Sequence, residues 1–170
     1  MIRLLRASKF WLLARALLVI ITLTIAGVSV TAQTVQKTPG AKGGGDEPVF
    51  LDYRGVKIGW LADEVRKKLG SPANKGDEQD FYVFNDNKET CQIFYDKATS
   101  KVTAISVDFS SGAREVITPQ QVFGEDIEKK SDGSMSRLVR YPKAGLWVSY
   151  NKTAGETPII TITIQKMAPQ

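Results

Sequence analysis

The chain has 170 residues, with 23 lysines and arginines against 18 acids, no histidine and one cysteine. Four of the basic residues lie within residues 1–32, so the rest of the chain is close to neutral and gives no support for nucleic-acid binding. The missing histidine excludes a Ser-His-Asp triad, a Cys-His pair and a His-ligated zinc, while the lone cysteine excludes an intramolecular disulfide and a cysteine-cluster metal site.

Residues 1–32 have the order of a secretory signal peptide. Basic residues come first, an apolar run over 16–30 follows, and small residues precede Ala32. We expect cleavage after Ala32 and export to the periplasm or the extracellular space. The alternative is an uncleaved segment, residues 10–32, which would anchor the protein in the inner membrane and form its membrane contact.

The folded domain is expected over residues 48–168, after a flexible linker at 33–47. The linker contains a glycine triplet and scarcely any large apolar residue, which is typical of a chain that does not pack. About 120 residues remain for the domain, a size that suits a single compact unit.

A first helix-and-strand unit is predicted over about 56–109. Residues 56–72 predict a short amphipathic helix with a stripe of Leu61, Val65 and Leu69, ended by Gly70. Turn-like residues follow, and then aromatic and branched residues predict three strands, at 80–85, 90–96 and 101–109. In the third strand, alternation predicts one shared face for Thr103, Ile105, Val107 and Phe109.

A second unit is predicted over about 116–166. Thr118-Pro119-Gln120-Gln121 has the pattern of a capping box with proline at the first helical position, so a helix is expected from there to about Ile127. Strand patterns follow at 136–141, 145–151 and 158–166.

The two units match in order and spacing, which predicts an internal duplication of about 55 residues. Three stretches carry the match: Leu61 to Val65 with Thr118 to Val122, Phe81 to Phe84 with Leu138 to Tyr141, and Tyr95-Asp96-Lys97 with Tyr150-Asn151-Lys152. The alternative is that any two units of a helix and a meander align loosely.

The motifs of the first unit resemble those of a known family. The run from Gly59 to Val65, the helix end Leu69-Gly70-Ser71-Pro72, and aromatic strands ending in Tyr95-Asp96 resemble the SmpA/OmlA family. That family includes the small lipoprotein of the outer-membrane β-barrel assembly machine and shares its fold with the tandem β-lactamase inhibitory proteins. Leu61 stands where such domains often place Thr or Ser, and the lipid-bearing cysteine is absent.

The resemblance implies an α+β fold in which both units form one antiparallel sheet with short helices packed on one face. Matching the units assigns each strand residue to a face. The residues expected to face the helices are Tyr82, Phe84, Ile93, Tyr95, Ile105, Val107, Val139, Tyr141, Val148, Tyr150, Ile160 and Ile162. The opposite face is expected to carry Phe81, Val83, Gln92, Phe94, Leu138, Arg140, Trp147, Ser149, Thr161 and Thr163.

An uncovered sheet face with aromatic and basic side chains is typical of a protein-binding surface. Six of its residues are the candidate binding residues: Phe81, Phe94, Arg140, Trp147, Ser149 and Thr161. The alternative is a register slipped by one residue, which would place these aromatics in the core.

The remaining candidates favour structural roles. Asp77, Glu78, Asp80 and Asp86 are interpreted as solvated turn acids rather than a catalytic pair or calcium ligands, and Arg66-Lys67-Lys68 as a solvated helix face. Cys91, inside a strand, is expected to be buried.

The sequence therefore predicts a non-catalytic exported envelope protein, without a cofactor, whose partner is an envelope or secreted protein. The alternatives are an inhibitor of a secreted enzyme and a small hydrolase that works without histidine.

Overall fold

The computed structural model describes residues 47–168, so the predicted signal peptide at 1–32 and linker residues 33–46 lie outside the described residues. The elements are β1 (Asp52–Tyr53), β2 (Val56–Lys57), α1 (Ala62–Leu69), β3 (Asn74–Lys75), β4 (Gln79–Phe84), β5 (Glu89–Tyr95), β6 (Val102–Phe109), α2 (Pro119–Phe123), β7 (Met135–Tyr141), β8 (Leu146–Lys152) and β9 (Ile160–Lys166). Within residues 47–168, neither helix has the length and hydropathy that a membrane span requires.

Seven strands form one antiparallel sheet in the order β3-β4-β5-β6-β9-β8-β7, and β1 pairs with β2 in a separate hairpin. The α+β prediction is confirmed, and all six predicted strands are present with ends within two residues of the predicted ones. The sequence reading missed β1, β2 and β3, because a strand of two residues is too short to show alternation.

Both helices are shorter than predicted. The stretch 56–72 begins as a strand and a turn, and α1 starts only at Ala62, so Leu61 is the N-cap residue and is 45% exposed instead of belonging to the buried stripe. Ala62 and Val65 are the buried residues of α1. The second helix stops at Phe123 rather than near Ile127, because Gly124 takes a left-handed conformation and its N–H bonds to the Gln120 carbonyl.

The predicted face of Thr103 is wrong because a β-bulge interrupts the alternation of β6 at this residue. Phe94 pairs with Ala104 while Tyr95 pairs with Val102, so Thr103 is an extra residue in β6. Its hydroxyl bonds to the Phe94 carbonyl at 3.3 Å, and Val102 takes the buried position instead. Alternation cannot reveal a bulge, since one inserted residue reverses the pattern on one side only.

The core lies between one face of the sheet and the helices, as predicted. Of the twelve residues assigned to the helix side, nine are buried, and Phe84, Val139 and Ile160 pack against the core while partly exposed. Val65 of α1 and Val122 and Phe123 of α2 complete this core. Cys91 is fully buried, which confirms its predicted position and raises the pKa of its thiol.

An offset of 57 residues matches several elements in the two halves of the sheet. Adding 57 to 89–95 gives 146–152, the bounds of β8, and adding 57 to Ala62, the first residue of α1, gives Pro119, the first residue of α2. The pairing register also agrees, because Gln79 opposite Phe94 becomes Ser136 opposite Asn151. At this offset Tyr150 matches Ile93, whereas the sequence comparison matched Tyr150 with Tyr95.

Candidate protein-binding face

The face of the sheet away from the helices, here called the open face, is organised in three cross-strand rows set by the pairing registers. The first row is Gln79, Phe94, Ala104, Gln165, Trp147 and Arg140. The second row is Phe81, Gln92, Ser106, Thr163, Ser149 and Leu138. The third row is Val83, Thr90, Asp108, Thr161, Asn151 and Ser136.

Two aromatic side chains flank a mostly polar floor on the open face. Phe94 on β5 and Trp147 on β8 lie in the same row, separated by β6 and β9. Neighbouring strands are about 4.8 Å apart, so these two aromatic residues stand roughly 14 Å apart across the sheet. Between them lie Ala104, which is buried and presents only a methyl group, and Gln165, which is exposed. The result is a trough with aromatic walls.

The trough contains a shallow groove of about 550 Å³ on the Phe94 side. Its lining is polar but almost uncharged: Glu78, Gln79, Gln92, Phe94, Tyr95, Thr103, Ala104, Ser106, Thr163 and Gln165. Three of these residues offer side-chain amides and three offer aliphatic hydroxyls, while the Tyr95 hydroxyl is bonded to Asp80. The groove can therefore make hydrogen bonds to a partner without having to remove water from many charges.

Hydrogen bonds between strands keep the polar floor in place. Ser106 and Thr163 are bonded at 3.0 Å, Thr161 donates to Asp108 at 2.6 Å, and Gln79 donates to Gln92 at 3.1 Å. Because these groups partly satisfy one another, the floor is ordered before any partner arrives.

The structure brings all six predicted binding residues onto the open face, so the alternative of a slipped register is wrong. Phe94, Trp147 and Arg140 share the first row, and Phe81 and Trp147 are not part of the described core cluster. Ser149 is a correction to the predicted contact set: it faces the open side but is only 6% exposed. Its short side chain lies below its larger neighbours, so it contributes to the floor rather than to contact.

A buried carboxylate lies on the helix side of β4. Asp80 has no exposed surface and accepts hydrogen bonds from Arg66 Nε at 2.8 Å, Tyr95 Oη at 2.8 Å and the Gly76 N–H at 3.2 Å. Burial raises the pKa of Asp80, but the bonds from Arg66 and Tyr95 outweigh it and leave the pKa below its usual value.

This cluster overturns two predictions from the sequence. Asp80 is not a solvated turn acid, because it lies within β4 and points into the core. Arg66 is not part of a solvated basic face, because its guanidinium reaches inward to Asp80 and to the Gly76 carbonyl at 2.9 Å. No sequence pattern predicts the ion pair between Arg66 and Asp80, because the two residues are 14 positions apart on different elements.

A second buried carboxylate, Glu89, lies on the helix side and ties the β1–β2 hairpin to the sheet. It is 3% exposed, accepts hydrogen bonds from the Tyr53 hydroxyl and the Asn85 amide, and pairs with Arg54 at 2.9 Å. Arg54 also stacks over the Phe84 ring, 4.3 Å from its centre. A neighbouring pocket of about 270 Å³ lies beside this cluster. The Tyr53 and Arg54 donors hold the hairpin in place, whereas Asn85 donates from the turn between β4 and β5.

The other acids considered from the sequence lie apart. Asp77, Glu78 and Asp86 are exposed, with Glu78 paired to Lys97 at 3.0 Å and Asp86 close to Arg114. Among residues 47–168 no three His, Cys, Asp or Glu side chains group as metal ligands would.

The chain matches no protein-family model, and no curated protein is significantly similar to it. A solved structure of a DUF4309 family protein, YjgB, from Bacillus subtilis is similar at 14% sequence identity with a TM-score of 0.44. The match covers 66% of this chain and 83% of that protein.

Proposed function

We propose that this protein is exported to the cell envelope or beyond and binds another protein through the open face, without catalysing a reaction. The observation that carries the proposal is the trough, in which Phe94 and Trp147 stand on either side of a hydrogen-bonded floor. Aromatic anchors around a groove are where binding energy concentrates in protein interfaces.

The end of the open face that holds the first row is the better docking point. This row combines two aromatic rings, the Arg140 guanidinium and two glutamine amides, whereas the third row consists mainly of hydroxyl, amide and carboxylate groups. Aromatic and arginine side chains are enriched in interface centres, and short polar residues are not. The proposed contact set is therefore centred on Phe94, Trp147 and Arg140, with Phe81 and Thr161 further from the centre.

The attachment of the preceding chain favours the same face. Phe50 is part of the core, and Val49 lies beside Gly124 at the end of α2, so the described chain enters on the helix side of the sheet. The first described residues therefore leave the open face uncovered. This arrangement suits an envelope protein, as does the resemblance to the SmpA/OmlA family.

We also propose that the domain arose by duplication of one helix-and-meander unit, over about 56–109 and 116–166. The offset of 57 residues supports this, because unrelated units would not share both element starts and pairing registers. Ser106 pairs with Thr163, which is its own equivalent, so the relating two-fold axis passes between them. This axis exchanges the first row with the third, and the two rows have since diverged in chemistry.

A photo-crosslinking amino acid tests the binding proposal. It replaces Gln165, in the middle of the first row, in cells that export the full chain; a matched variant carries it at Lys129, outside the sheet. We expect one partner to be crosslinked from position 165, to be lost on Trp147→Ala and Phe94→Ala, and not to be captured from position 129. Equal capture from both positions, or capture unaffected by the two alanine variants, would contradict the proposal.

A further inference from the structure

The two outer edges of the sheet are unlike each other. In the first half, β3 covers the outer edge of β4, with Asn74 opposite Phe81 and Lys75 opposite Asp80. The equivalents of Phe81 and Asp80, 57 residues later, are Leu138 and Arg137 of β7. No described strand pairs with β7 on its outer side.

The segment that would correspond to β3 is a turn. Residues 131 and 132 are the equivalents of Asn74 and Lys75, and they lie in a loop closed by a bond from the Gly133 N–H to the Lys130 carbonyl. The seven residues of β7 therefore leave a full strand edge of backbone N–H and C=O groups without strand partners in the described chain.

Side chains along β7 indicate what this edge accepts. Leu138 is 54% exposed, whereas its equivalent Phe81, beside Asn74, is partly buried. Arg140 lies two residues further along the same face and is exposed. Its backbone belongs to the ladder with β8, but its side chain forms no hydrogen bond or ion pair with residues 47–168. An apolar side chain and an uncompensated cation thus lie next to each other beside a free backbone edge.

We propose that β7 receives an extended segment of the partner protein as an additional strand, and that this segment places an apolar residue opposite Leu138 and a carboxylate opposite Arg140. Strand addition supplies affinity through main-chain hydrogen bonds, and the alternating side chains supply selectivity. A second copy of β7 does not fit this requirement, because Met135–Tyr141 contains no acid. This inference rests on the proposed function, because the added strand is taken to belong to the same partner that binds the open face.

Two peptide probes test the inference on the full chain in detergent micelles. One is the acetylated heptapeptide TETLTVT, which, paired antiparallel to β7 like every strand pair of the sheet, places its leucine opposite Leu138 and its glutamate opposite Arg140, and the control is TKTLTVT. We expect the glutamate peptide to bind about fivefold more tightly than the lysine peptide, the ratio that opposed charges across a strand pair can give. Hydrogen–deuterium exchange should slow over 135–141 when the glutamate peptide is bound.

Two variants sharpen the test. Arg140→Glu should reverse the order of the two peptides, and Leu138→Lys should weaken both. Equal affinities, no binding, or protection outside β7 would overturn the inference. Slow exchange in the free chain of those β7 amides that do not bond to β8 would also overturn it, because the outer edge would then already be occupied by a second copy or by another segment of the chain.

The inference and the proposed function can fail separately. Phe94 lies in the other half of the sheet from β7, so Phe94→Ala should still bind the glutamate peptide while losing the crosslink at Gln165. If the crosslink forms but neither peptide binds, the partner uses the open face without adding a strand. If the peptides bind as expected but nothing crosslinks, the edge accepts strands and the proposed face is wrong.

Discussion

The ion pair between Arg66 and Asp80 gives the sharpest stability prediction. In Arg66→Met the methionine keeps much of the volume of the side chain but removes its charge, so Asp80 remains fully buried with Tyr95 and the Gly76 N–H as its donors. Removing one partner of a buried pair costs about 3–5 kcal/mol. Arg66 is itself 21% exposed, so some water can replace it and we expect a loss of about 3 kcal/mol at pH 7.

The loss should depend on pH in a defined direction. In the wild type the folded-state pKa of Asp80 lies below the unfolded value of about 3.9, so this group stabilises the fold above that pH and stops doing so as the pH falls through the folded pKa. Without Arg66, burial dominates and raises the folded-state pKa of Asp80. Protonation then relieves the variant as the pH falls, and the difference between variant and wild type shrinks.

Urea unfolding at several pH values, on the chain without residues 1–32, measures both effects. Lys67→Met is the matched control, because Lys67 is exposed on the same helix and should change the free energy of unfolding by less than about 0.5 kcal/mol. A loss below about 1 kcal/mol for Arg66→Met, or a loss that does not vary with pH, would refute the reasoning.

Three further predictions follow from burial, symmetry and the signal segment. Trp147→Ala should cost less than about 1 kcal/mol because its ring is on the open face, whereas the adjacent Val148→Ala should cost about 2 kcal/mol; the reverse order in urea unfolding would place the tryptophan in the core. Ile105→Ala and Ile162→Ala, at equivalent and fully buried positions, should each cost about 3 kcal/mol, and a large difference between them would count against the duplication. Intact-mass measurement of the exported protein should find a chain that begins after Ala32, and retention of residues 1–32 would support the anchored alternative.

The strands were predictable because their residues alternate. In β9 the isoleucines at 160, 162 and 164 alternate with the threonines at 161 and 163. This alternation alone assigns each residue to one of the two faces of the strand. The same logic placed the open-face residues correctly in β4, β5, β7, β8 and β9. It failed at Thr103, where the bulge is set by the pairing of β6 with β5 rather than by the local sequence.

The polar contacts of the site were not predictable, because each joins residues that are distant in sequence. Asp80 looked like the other acids around it, and only the position of α1 over β4 turns it into a buried partner of Arg66. Glu89 gave no signal at all, since its donors come from the hairpin turn at Arg54 and from Asn85. Spacing rules describe one element at a time, so they cannot find an ion pair between two elements.

The Asp80 cluster also explains why one edge of the sheet is closed and the other open. Its carboxylate accepts the Gly76 N–H while Arg66 donates to the Gly76 carbonyl, so both backbone groups of the residue after β3 are tied to it. The residue equivalent to Asp80 in the second half is Arg137. Its side chain pairs with Glu125 at 2.6 Å and cannot accept a hydrogen bond from a backbone N–H. The segment before β7 therefore has no acceptor to hold it against the edge, and under the proposed duplication the exchange of one acid for one base accounts for the unpaired outer edge of β7 in the described chain.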